Sequence, residues 1–364
     1  MTEETSPTRG PLPQAADYPK LDVRESACDV SVVIVNWNTC DLLRACLQSL
    51  FAQTRRATYE VVVVDNASAD GSADMVARDF PEVVLVRNAR NEGFARGCNQ
   101  GMQAGRGRYF LLLNSDTTIV EDAVSDLVSF MDKFEGAGAG GCALLFPDGY
   151  LQPSCGWFPS LRAGFFRMLS VRALFQRVVD KRKHFSSPFL SYAQHWKERD
   201  VDWIVGACLI VRREAAEQVG LMDETIFLFA EEWDWCYRIK KAGWRIIYTP
   251  GPKVIHLGSA SWTMSDGKRV RAILASQQYF YRKHFGRTRA TMFKIGTCLG
   301  SLMKSLIWVS LYLVYPSRRP FFRQRIIWNL HTLQWCLQAR PSEMLKSADV
   351  VAPALSKSTM ARGG

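Results

Sequence analysis

The sequence predicts an α/β fold: a doubly wound, mostly parallel sheet with helices on both faces. Three observations carry this. Continuous apolar runs at 29–35, 59–64, 82–86 and 109–113 read as strands buried on both sides. Helical spacing or a short capped segment separates one run from the next. Each run also ends in small polar residues, at the place where an open α/β sheet gathers its ligands.

The first strand leaves through Asn36-Trp37-Asn38-Thr39. Leu42, Leu43, Cys46, Leu47, Leu50 and Phe51 then recur at helical spacing, with Asn38 or Thr39 as N-cap. The second strand ends at Asp65, and Asp70 or Ser72 caps a short helix that stops near Phe80-Pro81. The third strand leads through Asn88 and Asn91 into a segment carrying Gly93, Gly97 and Gly101. Those glycines lie four apart, which close helix–sheet packing explains. The first strand-to-helix turn lacks G-x-G-x-x-G, so a dinucleotide-dependent oxidoreductase is set aside.

The fourth strand, Tyr109-Phe110-Leu111-Leu112-Leu113, switches abruptly to Asn114-Ser115-Asp116-Thr117-Thr118. Asp116 has two readings. It caps the next helix, whose first turn would hold Glu121 and Asp122, or it binds a magnesium or manganese ion at a nucleotide's phosphates. The polar ends at Asn36, Asp65, Asn88 and Asn91 converge on the same sheet edge and favour the second reading.

Farther along, Phe146-Pro-Asp-Gly149 is a turn, and 165–185 is a basic amphipathic segment. The latter is a solvated helix by default, with a membrane-surface helix as the alternative. The run 202–213 reads as a strand in which Gly206 marks a close approach by ligand or backbone. From Glu231 to Lys241 the pattern is a helix with acids in its first turn and cations in its last, as the helix dipole prefers. Dipole complementarity does not explain three carboxylates, Glu231, Glu232 and Asp234, behind an aromatic run. Crowded, partly dehydrated carboxylates raise one another's pKa, which suits a general base. Arg245–Tyr248 and Val254–Ile255 read as two short strands, and His256 is either a core histidine or a ligand.

The 364 residues carry a net charge of +11. Between Asp266 and Glu343 there are 14 lysines and arginines and no acid, so the basicity belongs to the C-terminal segment. Nucleic acid and anionic membrane are the usual partners of such a segment. No nucleic-acid reading motif is present, and the apolar stretch 292–315 favours a membrane. Lys294 and Lys304 interrupt that stretch, so an interfacial helical hairpin is preferred to a spanning helix or a soluble tail. The ten cysteines show no CxxC or paired Cys/His spacing, which argues for reduced thiols in a cytoplasmic protein. The expected organisation is a disordered leader without a signal peptide at 1–28, one domain at 29–262, a basic and apolar helical region at 263–345, and a disordered tail at 346–364.

Taken in order, the motifs Val-Asn-Trp-Asn (35–38), Val-Asp-Asn-Ala-Ser-x-Asp-Gly-Ser (64–72), Asn-x-Gly-Phe-Ala-x-Gly-x-Asn-x-Gly (91–101), Leu-Asn-Ser-Asp-Thr (113–117), Trp-Ile-Val-Gly-Ala (203–207), Glu-Glu-x-Asp-x-Cys-x-Arg (231–238) and Ala-Gly-Trp (242–244) resemble family 2 of the inverting glycosyltransferases. The likeness is strongest to its rhamnosyltransferase-like branch. The resemblance implies the GT-A fold, a Rossmann-like sheet, and a divalent cation, Mg2+ or Mn2+. It implies that Asp65 contacts the nucleotide base, that Asn36 and Asn91 shape its pocket, and that Asn114, Asp116 and Gly206 lie along the nucleotide-sugar. Asp116 would bind the metal; Asn114 replaces the first aspartate of the D-x-D-type motif, and His256 could supply the missing ligand. Glu232 falls at the position of the base, with Glu231 and Asp234 as alternatives. The residues after the base helix, Gln278-Tyr-Phe-Tyr-Arg282, lack the Gln-x-x-Arg-Trp motif of processive members, which implies transfer of a single sugar. The donor would be dTDP-rhamnose-like or a UDP-sugar, and the acceptor a glycan or polyprenyl-linked sugar of cell-surface polysaccharide synthesis. The enzyme would lie peripherally on the cytoplasmic membrane. A non-catalytic nucleotide-sugar-binding module is the alternative.

Overall fold

A computed structural model describes residues 18–22, 25–158, 189–258 and 266–338. The chain runs β1 (Cys28–Asn36), α1 (Cys40–Gln53), β2 (Tyr59–Asp65), α2 (Ser72–Asp79), β3 (Val84–Arg87), α3 (Phe94–Ala104) and β4 (Gly107–Asn114). It continues with β5 (Thr117–Val120), α4 (Ala123–Lys133), β6 (Ala137–Leu145), β7 (Leu151–Gln152), β8 (Cys155–Gly156), β9 (Arg199–Asp200), β10 (Trp203–Ile204) and β11 (Cys208–Arg212). Then come α5 (Arg213–Val219), α6 (Glu231–Lys241), β12 (Arg245–His256), α7 (Asp266–Val314) and α8 (Arg319–Leu337).

The main sheet has ten strands in the order β3-β2-β1-β4-β11-β6-β12-β5, with β7 beside β6 and β9 beside β12. The four strands read first from sequence are mutually parallel neighbours. Strand β11 runs antiparallel between β4 and β6, while β5 runs antiparallel to β12. The sheet is therefore mixed beyond β4.

Continuous apolar runs arise because both faces of the sheet are covered. Val30, Val32 and Ile34 of β1 enter one core, and Val33 enters the other. On β4, Tyr109, Leu111 and Leu113 face the first core, whereas Phe110 and Leu112 face the second. The glycine spacing on α3 has the packing cause expected. A Cβ at Gly97 would come within 2.8 Å of Val35, and one at Gly101 closer still to Val33. Gly93 differs: it lies before the helix at φ 88°, pressed against Phe227.

Four expectations need correction. Asp116 does not cap a helix, because β5 intervenes and α4 starts after Asp122. The run 202–213 is broken at Val205-Gly206-Ala207, and β10 leaves the main sheet to pair with β8. The two short strands near 245–255 are one strand, β12, whose register shifts between Tyr248 and Lys253 where Pro250, Gly251 and Pro252 lie. The leader also does not stay loose as far as residue 28. Tyr18 and Leu21 are buried, Pro19 O accepts from Leu221 N, and the Tyr18 ring lies under Arg238 and Lys283. The segment 165–185 and the tail 346–364 fall outside the described residues.

Helix α7 is two helices joined at Gly286, where φ is 86°. Its first part lies against α6: Phe280 packs on Trp233 and Tyr237, and Ser276 Oγ donates to Leu228 O (2.9 Å). Its second part forms a hairpin with α8, turned at Pro316-Ser317-Arg318. Trp308 stacks on Phe322, Ser301 Oγ donates to Asn329 O (3.1 Å), and Lys294 Nζ donates to Gln338 O (2.8 Å). One apolar face of the hairpin has no cover among the described residues: Ile295, Leu299, Leu302, Leu306 and Leu313 are 50–66% exposed. Among the described residues one helix, Gly267–Val314, is long and apolar enough to cross a membrane.

Candidate active site

The carboxyl ends of β1 and β2 form the first part of the site. Their register sets Asn36 beside Asp65, and both are buried. Asn36 Nδ2 donates to Asp65 Oδ1 (2.9 Å) and to Ser68 Oγ (3.1 Å), while Ser68 N donates to Asp65 Oδ2 (2.9 Å). Thr39 Oγ1 donates to Asn36 Oδ1 (2.6 Å) and lies 2.9 Å from Ser115 Oγ, which ties this corner to the end of β4. Asn38 and Ala67 both hold positive φ, 52° and 59°. Non-glycine residues in that region persist where the surroundings hold them, often at binding sites.

The second part lies where β4 meets the end of β12. Asp116 is buried, and its Oδ1 is 3.2 Å from His256 Nε2. Asn114 Nδ2 is 3.2 Å from the same nitrogen. Leu257 N donates to Asp116 O (3.1 Å), which holds the chain after β12 in place. A carboxylate oxygen facing an imidazole nitrogen is a donor set that fits a manganese-type cation. Among the described residues no group of three or more His, Cys, Asp or Glu side chains is placed to hold a metal. Asp116 and His256 would thus hold such an ion as a pair, with phosphate oxygens and water filling its shell.

The third part is the approach to α6. Asn114 N donates to Ala207 O, and the neighbouring Gly206 faces the Phe94 ring, 3.2 Å from where a Cβ would stand. The close approach at Gly206 is therefore made by a side chain. Asn91 Oδ1 accepts from Gly93 N (3.0 Å), shaping the loop that presses on Phe227, and Phe94 N donates to Phe227 O (3.1 Å). From Phe227 the chain passes through Phe229 and Ala230, both at φ 66°, directly into Glu231 and Glu232. Consecutive left-handed non-glycine residues are costly, and here they aim the first turn of α6.

Glu231 is buried, and its Oε2 has no hydrogen-bond partner among the described residues. Burial, with Glu232 next to it, holds its carboxyl well above the usual range. Glu232 is half-buried, and desolvation pushes its carboxyl up to about 7. A carboxyl poised there accepts a proton at neutral pH far better than an ordinary glutamate.

Asp234 does not belong with them, and its reading as an alternative base is corrected. Its Oδ1 accepts from His284 Nε2 (2.7 Å) and Lys283 Nζ (2.5 Å), and its Oδ2 from Arg238 Nε (2.9 Å). Burial alone would raise its pKa. The His284 hydrogen bond and the charges of Arg238 and Lys283 hold it far below the usual carboxylate range. Asp234 is a buried anchor between α6 and α7.

Residues 31–220 match Glycosyl transferase family 2. The chain belongs to this family. It is a glycosyltransferase with the GT-A fold. N-acetylglucosaminyl-diphospho-decaprenol L-rhamnosyltransferase of Mycobacterium tuberculosis is 29% identical to this glycosyltransferase over 72% of the chain and 87% of that protein. The O-antigen biosynthesis protein RfbC of Myxococcus xanthus is 28% identical over 71% of the chain and 19% of that protein. Among solved structures, the mannosyltransferase PcManGT from Pyrobaculum calidifontis, in complex with GDP-Man and Mn2+, superposes with a TM-score of 0.50 at 16% identity, over 89% of this chain and 90% of that one.

Three parts of this glycosyltransferase's site were not read from its sequence. Asn99 on α3 donates to Met222 O (2.9 Å) and to Glu224 Oε1 (3.0 Å), and accepts from Met222 N (2.9 Å), pinning the loop before α6. Lys283 Nζ bridges Asp223 (2.6 Å) and Asp234 across the same loop. Gln152 Oε1 lies 2.7 Å from His256 Nδ1. Asn99 alone had a signal, its place in the glycine-rich motif. The other two depend on contacts between distant segments.

Proposed function

We propose that this enzyme transfers a single sugar, with inversion, from a nucleotide-sugar to a glycan or polyprenyl-linked acceptor of cell-surface polysaccharide synthesis. The observation that carries the proposal is the carboxyl pair at the start of α6. A module that only bound a nucleotide-sugar would use Asp65 and Asp116, but would gain nothing from desolvating Glu231 and Glu232. The donor is of the dTDP-rhamnose or UDP-sugar kind. The M. tuberculosis relative's name, which joins rhamnosyl transfer to a polyprenol-linked acceptor, supports that donor and acceptor chemistry.

In the proposed reaction, Asp65, oriented by Asn36 and Ser68, accepts a hydrogen bond from the base of the nucleotide. The Asn91 loop closes that pocket. Asp116 and His256 would hold a divalent cation, which would supply charge neutralisation at the departing diphosphate. Glu232 takes the proton from the acceptor hydroxyl as its oxygen attacks the anomeric carbon on the face opposite the leaving group. One displacement on that geometry inverts configuration. Burial at the start of α6 gives Glu232 the raised proton affinity that this step uses.

The domain limits proposed are 29–262 for catalysis and 263–345 for attachment. The exposed apolar face of the α7–α8 hairpin, with Arg318, Arg319, Arg323 and Arg325 at and beyond its turn, would lie in the interface of the cytoplasmic membrane. That location suits a lipid-linked acceptor. A panel of nucleotide-sugars, scored by thermal shift with and without Mn2+ and then by product formation on a polyprenyl-diphosphate sugar, tests the proposal. One or more donors should raise the melting temperature by several degrees in a Mn2+-dependent manner and yield product. A panel in which no donor does either overturns it.

A further inference from the structure

We propose that Gln152 is a positioning residue that makes His256 a nitrogen donor toward Asp116, so that the β6–β7 hairpin forms the outer shell of the cation site. This rests on the cation-binding reading given above. The turn at Phe146–Gly149 is closed by hydrogen bonds from Gly149 N to Phe146 O and from Phe146 N to Tyr150 O, both 2.8 Å. It returns the chain so that Gln152 pairs with Leu144 on one side of β6, while β12 runs along the other with Val254 opposite Leu144. His256, two residues past Val254, then reaches the Gln152 amide over the end of β6.

Two neighbours agree on which ring nitrogen carries the hydrogen. Gln152 Oε1 is an amide oxygen and can only accept, so the 2.7 Å contact requires Nδ1–H of His256 to donate. Asn114 Nδ2 is an amide nitrogen and can only donate, so its 3.2 Å contact requires a lone pair on Nε2. That lone pair is on the side of Asp116, whose Oδ1 is 3.2 Å away. A carboxylate oxygen and an imidazole lone pair at that separation repel unless a cation or a proton lies between them.

A cation at Nε2 would take the place of the long Asn114 contact, whereas the short Gln152 contact on the opposite nitrogen would keep the ring oriented. Ligating histidines usually hand their other N–H to such an acceptor, and losing it costs about 10- to 100-fold in metal affinity. Gly258 fits the same purpose. It holds φ 73°, and a Cβ there would come within 3.0 Å of the Gln152 side-chain nitrogen.

The chain has five histidines, so the full-length protein labelled with 15N-histidine tests the proposal by NMR, with His256→Ala assigning the signal. Without metal, the wild-type His256 should carry its hydrogen on Nδ1. Titrated Mn2+ should broaden this signal, and Gln152→Leu should need roughly 10- to 100-fold more Mn2+ for equal broadening. Gln152→Glu, which keeps an acceptor oxygen, should restore the wild-type titration. Melting temperatures matching the wild type confirm that the variants are folded. A hydrogen on Nε2 in the wild type, or a Gln152→Leu titration equal to the wild type, overturns the role of Gln152 while leaving the cation site standing. Wild-type His256 untouched by Mn2+ overturns the cation site and the proposal together.

Discussion

Replacing Lys283 by methionine removes one ammonium and exposes how much of the base helix's position depends on α7. The side chain is 3% exposed and bridges Asp223 at 2.6 Å and Asp234 at 2.5 Å. Breaking a buried pair by deleting one partner costs about 3–5 kcal/mol, because the remaining charge stays buried without its counter-ion. Here the low end applies. Asp234 keeps Arg238 and His284, and Asp223 keeps the Tyr279 hydroxyl (2.9 Å) and Thr225. At about 3 kcal/mol, the melting temperature should fall by roughly 6–12 °C. Turnover should fall too, since the loop 223–230 carrying Phe229 and Ala230 loses an anchor at both ends. Donor affinity should hold, because Asp65 and Asp116 lie on other elements. Thermal unfolding of the purified full-length chain, followed by fluorescence, measures the first effect. A fall of less than about 2 °C would refute the buried-anchor reasoning.

Three further outcomes follow from the same structure. The rate of transfer should rise about tenfold per pH unit up to about 7 and level off above, because Glu232 works as the carboxylate and its pKa sits there. Stability should move the other way. The folded chain holds protons on Glu231 and Glu232 that an unfolded one releases near 4.5, the ordinary glutamate value, so stability declines as pH climbs from there through 7. Asp234, held far below its usual range, is ionised throughout that window. A flat rate profile from pH 5 to 8 would contradict the assignment. On the hairpin, Leu306 and Leu313 are 65% and 66% exposed. Burying each in lipid is worth about 1.5–3 kcal/mol, so changing both to glutamate should weaken binding to anionic vesicles by two orders of magnitude or more in a sedimentation assay. Unchanged partitioning would exclude this face as the contact.

Much of the sheet was legible because burial on both faces leaves an unbroken apolar run, as at 109–113, and because polar residues follow each run. Strand direction was not. β11 is as apolar as β4 yet antiparallel to it, and nothing in its pattern encodes that. The strand β5 was hidden behind polar residues that also suit a helix cap, and β12 behind two prolines that a register shift absorbs. The first turn of α6 stood out as unusual, but three carboxylates in four residues looked equivalent. Arg238 one turn on, with Lys283 and His284 far along the chain, separates Asp234 from the pair before it. Gln152 was invisible for the same reason: its meaning comes from a turn that carries it to His256.

The measurement that bears most directly on the account is the Glu232→Gln variant, assayed for both sugar transfer and donor binding. The substitution keeps size and removes the proton acceptor. Transfer should fall by at least a hundredfold, the scale of a lost general base, while the Mn2+-dependent donor affinity stays within about threefold of the wild type. Turnover equal to that of the wild type would contradict the central claim.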